Sequence, residues 1–400
     1  MANAAAPDDA LDDAPRGAPE RFRAIMLDRH LPLWAEHGWD RRHGGFHERL
    51  DRDLRPIDLG YKRLLVQCRQ LYSFSQAVLL GERRYLPLIG DGFAWLRAHY
   101  WDAAQGGWIF KATPEGRPLD PMKDTYGHAF VLFACAYVHR ATGDAEPIAL
   151  AHRTLDLLEV KLAAPAGGFF EAAEADWTPR PGLRLQNPHM HLLEALVALD
   201  EAAGGAAGGL TGEARFRDGA RAIGRLFLSK LFDPSTGTLG EYFDQDWKPD
   251  AARGHIVEPG HHCEWSWLLH RLAARVGDEA LAVAADRLFD HALVHGWDAE
   301  RGGVYDEVDR SGRIVTGRKR IWPLTEAVKA AATRWRRTGA AADRTRLEQF
   351  TAFLLSRYGL AEGRWHEHLE RDLSVFNDTL PGSTTYHLLL AAVEAARGRD

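Results

Sequence analysis

The stretch "EPGHHCEWSWLLH", Glu258 to His270, sets two histidines and a glutamate at the start of an apolar run. His261 and Glu264 are three residues apart and share a helix face, whereas His262 and Cys263 turn aside. Polar residues interrupt five other apolar runs near their starts: Arg69; Tyr126 and His128; Asn187 and His191; Trp322 and Glu326; Tyr386 and His387. Asn187 and His191, like Trp322 and Glu326, are four apart, so each pair also shares a face. Imidazoles titrate near neutrality and move protons without a metal. Helix N-termini favour negative charge that develops nearby. Together these residue types point to acid–base chemistry that passes through an oxyanion. "HMH" at 189–191, "HH" at 261–262 and "HEH" at 366–368 look like metal ligands. Residues two apart on a helix diverge, however, and neither HExxH nor a Cys/His cluster occurs, so no metal is expected. His189 and His262 lie off the shared faces and are expected to be structural.

The runs are brought into register by a repeat. Gly44, Gly106, Gly167, Gly237, Gly302 and Gly363 open six related segments, among them "GGFHERLDRD" and "GGVYDEVDRS", at intervals of about 61 to 70 residues. Each segment reads as turn, short strand, turn, short strand. An amphipathic helix precedes every copy, as in "EALAVAADRLFDHALVHG", and a nearly all-apolar helix follows, as in "DTYGHAFVLFACAYVHRATG". Six such pairs predict an all-α fold, an (α/α)6 barrel of six helix-hairpin repeats. The apolar helices line its cavity and short β-hairpins gather at one mouth. An open solenoid would need polar capping units, which neither end supplies. Residues 1–18, "MANAAAPDDALDDAPRGA", read as a disordered leader, and 19–400 as a single catalytic domain.

The net charge of -6 removes the basic face that nucleic-acid binding requires. No run approaches the roughly 20 apolar residues of a membrane span. Three distant cysteines offer no disulfide framework, which fits a reducing cytoplasm. The expected partner is a small molecule, and the chain is read as a monomer or homodimer. No P-loop or GxSxG occurs, and "GGAAGGL" at 204–210 reads as a loop between helices. Trp39, Trp101, Trp108, Trp297 and Trp322 fall at or beside the mouth, mostly as hairpin anchors.

In order along the chain, "RLLVQCRQLYSFSQA", "NPHMHLLEAL", "EPGHHCEWSWLL", "WPLTEAVKA" and "TTYHLLLA" resemble the N-acylglucosamine 2-epimerase superfamily. The resemblance implies an (α/α)6 barrel that isomerises or epimerises sugars at C2 without a cofactor. By motif it implies His387 and His261 as the acid/base pair, with His191 beside them and Arg69 stabilising the oxyanion. It implies Asn187, Glu264, Trp322, Glu326 and Tyr126 as substrate-binding, Trp322 and Glu326 holding the distal part of the sugar. One histidine would open the ring, and His387 or His261 would then take the C2 proton to give a cis-enediolate. The resemblance leans toward an aldose–ketose isomerase interconverting D-mannose and D-fructose. The alternatives are a 2-epimerase of cellobiose or N-acylglucosamine, or an isomerase of an anionic sugar such as sulfoquinovose, which the basic run "GRKRIW" leaves open.

Overall fold

The computed structural model describes residues 17–204, 214–377 and 379–398. All but the last two residues of the expected leader, and most of "GGAAGGL", lie outside the described residues. The first outer helix, α1 (Ala18–Ile25), passes through a π turn (Met26–His30) into α2 (Leu31–His37). Inner and outer helices then alternate: α3 (Leu64–Leu79), α4 (Leu86–Tyr100), α5 (Thr125–Thr142), α6 (Glu146–Lys161), α7 (Gln186–Ala203) and α8 (Ala214–Leu226). They continue as α9 (Pro259–Val276), α10 (Glu279–His291), α11 (Ile321–Thr338), α12 (Ala341–Arg357) and α13 (Thr384–Ala395).

The odd-numbered helices from α3 to α13 form the inner ring. Each packs on the next, and α13 returns to α3, so the array closes as the (α/α)6 barrel that the repeat predicts. Composition decides which helix goes where. Every residue of α5 from Gly127 to Val138 is buried, which only a helix covered on all sides tolerates. On the outer helix α10, Leu281, Ala285 and Leu288 are buried at helical spacing, whereas Val283 faces water. No described helix is long and apolar enough to cross a membrane. Cys68, Cys135 and Cys263 are buried free thiols.

At the mouth the short strands pair between repeats as well as within them. Lys62–Arg63 pairs with Lys111–Ala112, Lys123–Asp124 with Ala172–Ala173, and Arg184–Leu185 with Tyr242–Phe243. Ile256–Val257 pairs with Glu307–Asp309, and Lys319–Arg320 with His368–Leu369. Leu380–Pro381 pairs with Arg49–Leu50 and joins the last repeat to the first. The strand that leads into each inner helix is thus held by the hairpin of the following repeat. Such long-range pairing is invisible in the local pattern of the sequence, from which self-contained hairpins were expected.

Close backbone approaches accompany this interlocking. Gly107 has φ +75°, and a Cβ there would lie 2.4 Å from the Trp177 ring and 3.0 Å from His128 Nε2. Lysine pins reinforce it in three repeats. Lys319 Nζ donates to Asp298 Oδ2 at 2.7 Å and to the carbonyls of Gly302 and Arg371. Lys62 does the same with Asp40, and Lys123 with Asp102. Lys319 and Asp298 are both shielded from water. Asp298→Ala, which strands the ammonium, is expected to cost on the order of 3 kcal/mol in urea unfolding. Arg313→Ala, which removes the exposed partner of Asp309, should cost less than about 1 kcal/mol.

Candidate active site

Each inner helix places one residue at the same depth on the barrel axis, six positions after the residue that ends its leading strand or caps the helix. The six are Arg69, Phe130, His191, Glu264, Glu326 and His387. Arg69, His191, Glu264 and His387 line a cavity of about 200 Å³, joined nearer the mouth by Tyr126, Asn187, His261 and Trp322. Glu258 and Arg320, from the ends of two leading strands, complete the wall. Phe130 and Glu326 do not line it. Phe130 lies under the Arg69 guanidinium at 4.3 Å, and Glu326 lies behind His387. Glu326, expected to hold the sugar, is therefore turned to a histidine instead, because its place on α11 is filled against α13 and Lys329.

Arg69 is fixed by donating to Ser383 O at 3.1 Å and Tyr126 Oη at 2.8 Å. Arg69 Nε, Asn187 Oδ1 and Glu264 Oε1 are buried without a hydrogen-bond partner. Buried polar atoms are nearly always satisfied, so this concentration beside one cavity marks unmet bonds that the hydroxyls of a ligand would complete. His191 is held through Nδ1 by Glu194 at 3.0 Å, and Glu194 in turn accepts from Tyr386 Oη. Trp322 brings an apolar ring against both His261 and His387, at centroid distances of 4.9 and 5.7 Å.

The two histidines sit in opposite fields. His261 Nδ1 is 2.9 Å from Glu241 Oε2 and 3.8 Å from Glu258 Oε2. Burial opposes its charge, but the carboxylates of Glu241 and Glu258 outweigh burial and raise its pKa to about 9. His387 Nδ1 is 2.8 Å from Glu326 Oε1. Burial, reinforced by the charges of Arg69 and Lys329, pushes His387 well below the ordinary histidine range. At neutral pH the cavity thus has an imidazolium on one wall and a neutral imidazole on another.

Glu241, which sequence reasoning missed, occupies a position that the repeat itself marks. Four residues after the first glycine stand Glu48, Phe110, Glu171, Glu241, Asp306 and Glu367. Glu48, Glu171, Glu241 and Asp306 accept from the backbone N–H of Arg63, Leu185, Glu258 and Arg320, at the threshold of an inner helix. Glu367 accepts from Thr384 Oγ1. In the second repeat Phe110 offers no acceptor, and Asp124 caps α5 with its own carboxylate. Glu241 alone among them also holds a cavity histidine.

His128, His189 and His262 do other work. Their Nε2 atoms accept from the N–H of Trp108, Phe169 and Leu239, the first residue after each glycine turn. Burial keeps His128 and His189 neutral, with pKa near 4, as an acceptor role requires. Three groups among the described residues bring a histidine and two carboxylates within 4.8 Å: His191 with Glu194 and Glu264, His261 with Glu241 and Glu258, and His387 with Glu264 and Glu326. In each, the histidine Nδ1 is already bonded to a carboxylate. In the last, the Lys329 ammonium lies 2.5 Å from Glu326, where a cation would have to sit.

Known proteins share this arrangement of chain and fold. A mannose-6-phosphate isomerase of Rhizobium meliloti is 32% identical over 92% of this chain and 94% of its own. A D-mannose isomerase of Marinomonas mediterranea is 26% identical over 88% and 91%. The solved structure of a cellobiose 2-epimerase from Spirochaeta thermophila superposes with a TM-score of 0.82 at 26% identity, covering 94% of this chain and 95% of the other. The family model for N-acylglucosamine 2-epimerase matches residues 44–391, and the chain belongs to that family.

Proposed function

We propose that the protein is an aldose–ketose isomerase acting on a free, uncharged hexose, with D-mannose and D-fructose as the pair interconverted. The observation that carries this reading is the unlike surroundings of two histidines on one cavity: His261 lies between the carboxylates of Glu241 and Glu258, and His387 lies against Glu326, which Lys329 shares. Two titratable groups driven apart by their surroundings are the signature of an acid and a base working together. His261, as imidazolium, gives its proton to the ring oxygen as the C1–O5 bond breaks, and then takes up the proton of the C1 hydroxyl, which leaves the open-chain aldehyde and restores the imidazolium. His387, neutral with its Nδ1–H on Glu326, takes the C2 proton on Nε2. The electrons left at C2 form the C1–C2 double bond of the cis-enediolate, and charge gathers on the former carbonyl oxygen. Arg69 faces that charge, with Asn187, Glu264 and His191 holding hydroxyls and Tyr126 and Trp322 shaping the wall. The proton of the C2 hydroxyl passes to O1, and return of the proton from His387 Nε2 to C1 gives the ketose. No metal or cofactor is required by these steps.

The neutral substrate is supported by the cations of the cavity wall. Arg69 is oriented by Ser383 O and Tyr126 Oη and keeps Nε for the oxyanion at the reacting carbons. Of the cations in "GRKRIW", Arg320 alone lines the cavity, and it pairs with Glu258 at 2.9 Å and Asp306 at 3.0 Å. Lys319 is pinned to Asp298, and Arg318 pairs with Glu370 outside. A sugar phosphate would meet two carboxylates around that one arginine. The volume, below the roughly 300–1,000 Å³ of drug-sized sites, suits one sugar ring. A phosphorylated hexose is the second reading, favoured by the name of the Rhizobium relative.

Proton NMR in deuterated water separates the readings. Mannose should give fructose carrying label at C1, with kcat/KM at least tenfold above that for mannose 6-phosphate. Glucose labelled at C2, or the reverse preference, would sink the proposal. The pH profile tests the acid. A group with its pKa raised to about 9 is protonated below that pH and lost above it, so kcat/KM should fall as pH rises through about 9. Glu241→Gln removes the nearer of the two carboxylates that sustain the charge and leaves Glu258, at 3.8 Å, as the main opposition to burial. The basic limb should then move down by about two pH units, toward the ordinary histidine range. At pH 8 the variant should lose at least about tenfold relative to the parent; an unmoved limb rules out His261 as the acid.

A further inference from the structure

Below the cavity, one turn after Glu326 on α11, Lys329 is wholly buried. Its Nζ lies 2.5 Å from Glu326 Oε2 and 3.9 Å from Glu264 Oε1, and 3.9 Å over the Trp267 ring. It does not line the cavity, so no substrate contact accounts for it. Removing an ammonium from water is costly, and a buried ion pair adds little to stability over an apolar replacement. The reason for a cation here lies in the charges that it faces.

Those charges converge on His387. Arg69 faces it from α3, His191 from α7, His261 and Glu264 from α9, and Glu326 and Lys329 from α11. On its own helix, Tyr386 is bound to Glu194. Three carboxylates, Glu194, Glu264 and Glu326, are thus gathered under one cavity, and all three act on Lys329. Their charge keeps Lys329 protonated: burial works against the ammonium, and the carboxylates outweigh it.

The pair His387–Glu326 serves as a base when it holds one proton, on Nδ1. A second proton disables it, either on Nε2 or on Glu326 with the imidazole turned to its other tautomer. Burial and the charge of Glu264 draw that proton in and hold the Glu326 carboxyl well above the ordinary carboxylate range; the ammonium 2.5 Å away is the force that opposes them. We propose that Lys329 is a positioning residue for the reaction. Its ammonium holds Glu326 as the carboxylate that accepts the Nδ1–H of His387, so that Nε2 is left bare toward the sugar. The inference rests on the reading of His387 as the base.

The test pairs a spectroscopic readout with a kinetic one on the full chain. In the parent protein without substrate at pH 7.5, ¹⁵N shifts of the His387 ring should show the Nδ1–H tautomer with Nε2 unprotonated; an Nε2–H ring overturns the proposal directly. In Lys329→Met that tautomer should be lost, whereas folded Lys329→Arg, which keeps the charge, should retain it. Turnover of the aldose found active should fall more than about tenfold at pH 6 in Lys329→Met, since one pKa unit is a factor of ten. At pH 9 the fall should be less than threefold, with KM little changed. An equal loss of kcat at every pH marks a merely structural lysine and overturns the proposal, as does an unaltered tautomer in Lys329→Met. A changed tautomer with an unmoved acid limb places the failure in the reading of His387 as the base.

Discussion

The amide that opens each inner helix is roofed by strands from the next repeat, where water does not reach it. A buried N–H without a partner is costly, and the chain meets the requirement with an acid four residues after the first glycine of the repeat. Glu48, Glu171, Glu241 and Asp306 each accept that amide. The same bond fixes the start of the helix, and hence the depth at which its sixth residue reaches the axis. Four helices start on that bond, while Asp124 caps α5 and Glu367 holds Thr384 on α13, so Arg69, His191, Glu264 and His387 arrive at a common level although they are scattered over most of the chain. The cavity is a by-product of satisfying the backbone.

Once the capping acids are in place, one of them can act on chemistry at little structural cost. Glu241 satisfies Glu258 N with one oxygen, and its other oxygen lies against Gln186 and His261. His261 thereby faces a carboxylate that the fold already needs. Across the cavity, His387 has its carboxylate too, Glu326, but this one is shared with Lys329 and lies below Arg69. The two histidines have like partners and unlike surroundings. What divides them is the sign of the second neighbour: another carboxylate, Glu258, beside His261, and cations beside His387. In a site shielded from water such second neighbours are felt more strongly than in solvent.

The parts of this protein legible in its sequence are those with a local period. Six glycines at nearly even intervals mark the repeats, and apolar runs without a polar face distinguish the inner helices. Spacing within a helix likewise sets His191 apart from His189 and His261 from His262. The pairing of Leu380–Pro381 with Arg49–Leu50 joins residues more than three hundred positions apart, and no local pattern signals it. Lys329 was hidden for a different reason. A lysine one turn below Glu326 reads as an ordinary solvated residue unless the helix is known to be covered on every side. Glu326 was misplaced on the same ground: shared helix faces show which residues align, not how far each reaches before a neighbour intervenes. Glu241 was within reach, since its five counterparts stand in register after the glycines, but a lone acid in a hairpin gives no sign that it meets a histidine twenty residues on.

The inner helices divide their labour by depth. Four residues into the register stand Gln67, His128, His189 and His262, each holding the amide that follows the glycine turn of its own repeat. Two residues deeper stand the groups that face the axis. A change in the first layer disturbs a hairpin and, through it, the neighbouring repeat, whereas a change in the second alters the cavity without loosening any turn. Glutamine and histidine fill the first layer in four repeats, where a side-chain acceptor of that length meets the amide, whereas Leu324 and Thr385 stand there in the last two. Arginine, phenylalanine, histidine and glutamate alternate in the second because the backbone makes no demand there. The freedom of the deeper layer, set on the rigidity of the upper one, allows one repeated unit to supply arginine, histidine and glutamate to a single cavity.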